Sequence, residues 1–279
     1  MAVDHQGLSE NGMTVRRYDR DRFVTALFAP PVRREDLFTL YAFNAEIARI
    51  RETVSEPMLG QIRLQWWRDT LDCLCRGDAT HHPLADELSG LIRGQSLPRP
   101  LFDRLIEARE LDMQDQPPES LAQLKLYVED SSAGLTELAA LVLGGEDAAT
   151  QEAARHVGQA WGLVGLLRAH PFTIKLRRLY LPIKEKGLDL EDVLAGEKPP
   201  GLVELAEQIA FIAANHLAEA RKLRRQVNRA AIPALLPARL ADGYLSRLKK
   251  IGFDPTDRQW SAVNTRPISL AFAAGVGRF

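Results

Sequence analysis

The sequence predicts an all-α, single-domain bundle, and three observations point there. Apolar residues recur three and four apart through most of the 279 residues. Prolines and glycines fall at the ends of those runs, where helices start and stop. No stretch alternates apolar and polar residues long enough for a strand, and no linker or fixed-period repeat divides the chain.

Taken in order, residues 1–15 carry no sustained period and are expected to be a flexible N-terminus. Residues 16–28 read as a first helix, closed by Pro30 and Pro31. The second, 33–54, is set by Leu37, Leu40, Tyr41, Ile47, Ile50 and Val54. Pro57 opens a third that runs to about Arg76; of its neighbours Trp66 and Trp67, only one can face inward. Shorter helices at 83–93 and 100–114 are separated by Pro98 and Pro100. After Pro117 and Pro118, residues 119–143 form a long helix ended by Gly144-Gly145. The next runs to His170 and stops at Pro171, which lacks an N–H and clashes with the turn behind it. Residues 171–201 are loop-rich, with a short helix near 189–195. A long helix at 202–229 and an amphipathic one at 238–251 follow. The tail, 254–279, has little period, so the expected folded domain is 16–253.

Two stretches stand out. In 158–182, Gly158, Gly162, Gly165 and Ala169 are spaced four, three and four, which puts them on one helical face. A stripe without side chains either admits another helix closely or lines a cavity, and the sequence leaves both open. Lys175, Arg177 and Arg178 follow, then the Tyr180-Leu181-Pro182 turn. In 41–56, Tyr41, Ala45, Ala48 and Glu52 share a face at the same spacing.

Composition narrows the function class. Lys and Arg number 36 and Asp and Glu 37, so no overall charge favours a nucleic-acid partner. The distribution is uneven: residues 103–130 are acid-rich, while Arg221 to Arg229 and Arg239 to Lys250 are basic. That asymmetry suits solvated helix faces, or an anionic membrane surface. Cys73 and Cys75, two apart on a helix, point in different directions and fit a reducing compartment. No run reaches signal-peptide or membrane-spanning length, so the expected location is cytoplasmic, with peripheral contact to the inner membrane compatible. His81, His82 and Asp86 are read as loop residues rather than metal ligands.

The two stretches resemble the squalene and phytoene synthases. That family carries Tyr-Ala-Phe ahead of an Asp-Asp-x-x-Asp motif, and Tyr41, Ala42 and Phe43 match. Its second motif reads Gln-Leu-Thr-Asn-Ile-Leu-Arg-Asp and, further on, Gly-Arg-x-Tyr-Leu-Pro; Arg168, Arg178, Tyr180, Leu181 and Pro182 match. A Trp-Arg-x-x-Leu segment is similar to Trp67, Arg68 and Leu71, and Ala133-Gly134 also match. The resemblance spans roughly 18–250 and implies an isoprenoid (terpenoid) synthase-type helical bundle, with the 33–54 and 158–170 helices facing each other.

It also implies where metal ligands would stand. The synthases neutralise a departing pyrophosphate with magnesium held by carboxylates one turn apart on two facing helices. The corresponding positions here are Ala48, Glu52, Ala169 and Thr173. One carboxylate in four does not hold such a cluster, and losing it costs about three decades in rate or more. The pattern is closest to a branch that includes an assembly factor of respiratory complex I. The expectation is therefore a catalytically degenerate member, without cofactor, acting on respiratory-complex subunits or assembly intermediates. The alternative is an active prenyl transferase with a rearranged magnesium site using Glu52, Glu129 and Asp130, or an isoprenoid-binding protein. Tyr41, Ala45, Arg68, Glu129, Gly162, Gly165, Arg168, Arg178 and Tyr180 are the candidate pocket or anion-binding residues. A lipid-like tail is expected along Gly162, Gly165 and Ala48, its anionic end meeting Arg168 and Arg178.

Overall fold

The computed structural model describes residues 7–78, 80–114, 116–260, 262 and 267–279. Among them there is no strand. The helices are α1 (Glu10–Tyr18), α2 (Arg20–Ala26), α3 (Pro31–Ala48), α4 (Ile50–Thr53), α5 (Pro57–Arg76), α6 (Pro83–Gln95) and α7 (Arg99–Leu111). Then come α8 (Leu121–Val128), a π turn (Glu129–Ala133), α9 (Gly134–Val142) and α10 (Ala148–Thr173). The remainder are α11 (Leu190–Leu194), α12 (Pro200–Lys222), α13 (Ile232–Leu235), α14 (Pro237–Lys250) and α15 (Pro267–Gly275).

α10 is the central rod. It packs along α12 on one side, against α9 and the π turn on another, and against α14 on a third. α3 packs against α1, α6 and α9. The two helices therefore share α9 as a neighbour, and Asn44 of α3 lines one cleft with Trp161 and Gly165 of α10. Leu163, Val164 and Leu167 of α10 and Leu37, Phe38 and Phe43 of α3 are buried in one continuous core. Removing such side chains from water stabilises the fold by about 25 cal/mol per Å² of apolar surface.

The boundaries depart from expectation in informative ways. Residues 1–6 lie outside the described residues, but the chain is already ordered before residue 16. Ser9 Oγ accepts from the Gly12 N–H at 3.0 Å, capping α1, and Val15 is buried. The chain then breaks at Asp19, whose carboxylate caps α2 by accepting from Arg22 N at 3.1 Å. Pro171 does not end α10; it sits in the last turn, which continues to Thr173. A proline so near the end removes one hydrogen bond and leaves little helix to kink. The 119–143 helix contains the π turn, an inserted residue that no period signals. The tail is not patternless: Trp260 is buried, and α15 docks through Leu270 and Ala273.

Candidate functional site

The small-residue stripe of α10 divides in two. A Cβ on Gly158 would stand 2.4 Å from Ala133 Cα, and one on Gly162 2.6 Å from Val128 Cγ1. These two glycines exist for close packing against α8 and the π turn. A Cβ on Gly165 would meet nothing within 4 Å. Gly165 therefore borders open space, and both readings of the stripe hold, at different residues.

That space is an inner cleft of about 160 Å³, and its walls are more polar than the stripe suggested. Arg22, Asn44, Arg109, Tyr127 and Ser132 line it together with Trp161. The Oδ1 of Asn44 and the Oγ of Ser132 are buried without a hydrogen-bond partner. Arg22 lies 5.8 Å from the ring of Tyr41 and 5.9 Å from that of Trp161, and is paired with Asp19 at 2.8 Å. Arg109 donates to Tyr127 Oη at 2.7 Å and to Asp112 at 3.3 Å, while Tyr127 donates to Asp112 at 2.9 Å. Burial raises the pKa of Asp112 and of Tyr127 despite the Arg109 charge beside them. Burial opposes the Arg109 cation, but Tyr127 and Asp112 more than offset it, and its pKa is raised. The phenol thus stays protonated and acts as a donor.

Tyr127 also walls a second groove of about 260 Å³, shared with Arg178, Tyr180 and Pro117. Burial, and then the Asp112 charge, raise the Tyr180 pKa. A third recess of about 450 Å³ lies beyond Trp161 and Gly165, bounded by Tyr18, Arg168 and Ala169. Trp161 and Gly165 line both this recess and the inner cleft.

The sequence candidates are scattered among these features. Arg178 and Tyr180 line the second groove, where Arg178 also donates to the Arg51 carbonyl at 3.0 Å. Gly162 and Gly165 border the inner cleft. Tyr41 and Ala45 are buried and do not line it; of α3, Asn44 does, and it too is buried. Arg168 is turned inward, donating to Asp21 at 2.9 Å with its guanidinium 3.7 Å from the Tyr244 ring. Arg68 is remote from the cleft and pairs with Glu110. Glu129 is held by Gln159 and by Arg155, and Asp130 by Arg104 at 3.1 Å. The tail path along Gly162, Gly165 and Ala48 is not continuous: Ala48 lines none of these spaces, and Gly162 is covered by Val128 and Ser132.

The metal-ligand positions form no donor set. Ala48 and Ala169 have only methyl groups, Thr173 Oγ1 donates to the His170 carbonyl at 3.3 Å, and exposed Glu52 sits 3.9 Å from Arg49. Arg49 itself stacks 3.6 Å above the Tyr18 ring. Among the described residues, no three His, Cys, Asp or Glu side chains converge to hold a metal ion. Magnesium does not fit this arrangement, because its near-octahedral shell calls for several oxygen ligands. Arg22, Arg109, Tyr127 and Ser132 are site residues that sequence reasoning missed. Tyr127 alone carried a signal, standing six residues ahead of the matching Ala133-Gly134 pair.

The sequence profile of the family described as squalene/phytoene synthase matches residues 15–267. The chain belongs to the squalene/phytoene synthase family. Within it, the chain is 31% identical over 260 residues to NADH dehydrogenase (ubiquinone) complex I, assembly factor 6 of Bos taurus, covering 92% of this chain and 78% of that one. The human protein of the same name is 29% identical over 243 residues, covering 86% and 73%. A presqualene diphosphate synthase of Sinorhizobium fredii is 28% identical over 155 residues, covering 55% and 54%. The fold matches a crystal structure of squalene synthase HpnC from Alicyclobacillus acidocaldarius with a TM-score of 0.78, at 21% identity over 88% of this chain and 94% of that one. It matches a dehydrosqualene synthase with a TM-score of 0.80, at 17% identity over 95% and 94%. The all-α synthase-type bundle expected from the motifs is thus the fold observed.

Proposed function

We propose that this chain is a family member without prenyl-transfer chemistry, acting as an assembly factor for a membrane-bound respiratory complex of the complex I kind. The observation that carries the reading is the pair of facing helices at the metal positions. Ala48, Ala169 and Thr173 supply no carboxylate, and the residue after Ala48 is a cation, Arg49, stacked on Tyr18. Of the carboxylates named for a rearranged site, Glu129 and Asp130 are paired with Arg155 and Arg104, and Glu52 is exposed beside Arg49. Identity to the bovine assembly factor over 92% of the chain supports the assembly half of the reading. On this reading the partners are subunits or assembly intermediates of the complex, and no metal or other cofactor takes part. Among the described residues, no helix is long and apolar enough to cross a membrane.

The test has two arms. Purified protein incubated with farnesyl or geranylgeranyl diphosphate and Mg²⁺ is expected to release no squalene or phytoene above a no-protein control. Deleting the chain in its host is expected to lower assembled complex I, and restoring it to recover the complex. Turnover in the first arm, or intact complex in the second, overturns the reading.

A further inference from the structure

α15 is apolar on both faces: one side is buried against the body and the other is left open to solvent. Leu270 and Ala273 are buried and hold the helix to the molecule. Ile268 and Phe272, one turn apart, are 86% and 65% exposed, and Val276, just past the helix end, is 41% exposed. Ile268 is the most exposed large apolar side chain among the described residues. Solvent gains nothing from such a stripe, and leaving it in water is unfavourable.

The surroundings are cationic. Phe272 borders a groove of about 180 Å³ whose other walls include Arg221, Arg224, Arg239 and Arg278. Arg239 also lines a second groove, beside Asp242, Ser246 and Ser269. Arg221 is neutralised by Asp242 at 2.6 Å. Among the described residues, Arg224, Arg239 and Arg278 have no carboxylate within ion-pair distance, and all three are exposed. The segment 221–229 adds Arg225 and Arg229, while its Lys222 is paired with Glu219 at 2.6 Å.

We propose that α15 and this arginine cluster form a docking face for an anionic phospholipid bilayer. The stripe enters the boundary between headgroups and acyl chains while the arginines meet lipid phosphates. A helix of nine residues is about 14 Å long, too short to span and suited to lying in the surface plane. The charge pattern selects this occupant: unpaired arginines around an apolar stripe complement an anionic interface, whereas a second copy would place cation against cation. The proposal is independent of the assembly role, since a catalytically active chain would carry the same face.

The test is co-sedimentation of the full chain with vesicles of phosphatidylcholine alone, or of equal parts phosphatidylcholine and phosphatidylglycerol. Binding is expected only to the anionic vesicles and weakens with added salt. Phe272→Asp is expected to weaken it by about tenfold or more, as is the pair Arg224→Glu and Arg239→Glu. Phe211→Asp, a change at an equally exposed phenylalanine on α12, is expected to leave it unchanged. All these positions are exposed, and circular dichroism checks that each variant is folded. As an independent readout, a Phe272→Trp variant is expected to shift its fluorescence to the blue with anionic vesicles. Equal binding to neutral vesicles, no binding, or binding indifferent to the α15 and arginine changes would overturn the proposal. So would a doubling of molecular mass, lost in Phe272→Asp, with no vesicle binding; that result would assign the face to a second copy.

Discussion

Gly158 and Gly165 lie two turns apart on one face of α10 and have opposite reasons for being glycine. Gly158→Ala would drive a methyl group into the Ala133 backbone, and is expected to lower unfolding free energy by about 1–3 kcal/mol in urea titration. Gly165→Ala meets open space and is expected to raise it by about 0.5–1 kcal/mol through helix propensity alone. Equal effects at the two sites would contradict the division of the stripe. The spacing in the sequence showed that these residues share a face. It did not show which were covered, because the cover is the backbone of a π turn that the sequence does not announce. A second residue-scale effect concerns pH. Burial pushes His170 down to about 4, against a small opposing influence from Asp254. Burial, then the facing His156 and Lys125, push His216 down to about 4, with Glu219 opposing. Both lie below the ordinary value of 6.5, so the unfolded chain takes up these protons first as pH falls. The stability they contribute is complete above 6.5 and declines as pH drops from there to about 4. Denaturant midpoints across that window should fall with acid, and the slope should flatten in His170→Leu and His216→Gln. An unchanged slope in both variants would assign the acid sensitivity to other groups.

At the scale of elements, α10 depends on how it starts. Asp147 accepts from Thr150 N at 2.9 Å and from Thr150 Oγ1 at 2.7 Å, and these bonds hold its carboxylate pKa below the ordinary value. Asp147→Ala is expected to cost about 1 kcal/mol, read as a lowered melting temperature, while Asp147→Ser retains most of the cap. An alanine variant melting with the wild type would show that the bundle, not the cap, fixes this end. Helix identity was largely legible because amphipathic period and proline punctuation are local. Ends were less so. Ser9 and Asp19 are ordinary N-cap residues, but without an apolar run around Ser9 nothing distinguished a cap from a loop serine. Conversely, Pro171 reads as a stop, yet neighbouring elements hold the final turn, and Arg258 donates to its carbonyl at 3.4 Å.

Across the whole molecule, Asp21 ties together three elements far apart in the chain. Its Oδ2 accepts from Arg168, 147 residues away, and from Tyr244 Oη, 223 residues away, both at 2.9 Å. Burial, with the Arg168 and Asp21 charges acting in opposition, pushes the Tyr244 phenol up to about 12, so it remains a donor. Arg168→Ala leaves the Asp21 carboxylate buried beside a phenol alone, and is expected to cost about 3 kcal/mol. Adding Asp21→Asn should recover part of that loss, and strict additivity in the double-mutant cycle would show the pair to be uncoupled. This bond explains why the candidate site was only partly readable. A motif places Arg168 at the mouth of a cavity, but its partner, Asp21, sits in the first turn of α2, which carries no motif.

The π turn at Glu129–Ala133 gives the chain a counting error that the fold depends on. One surplus residue advances everything after it by about 100° relative to continuous α winding. Excising Ser131 would cancel that phase difference without removing a single large apolar side chain. The excision would turn Leu138 and Ala139, buried in the native fold, toward water, and withdraw the backbone that Gly158 touches. A deletion that composition marks as trivial is thus one the bundle should tolerate least.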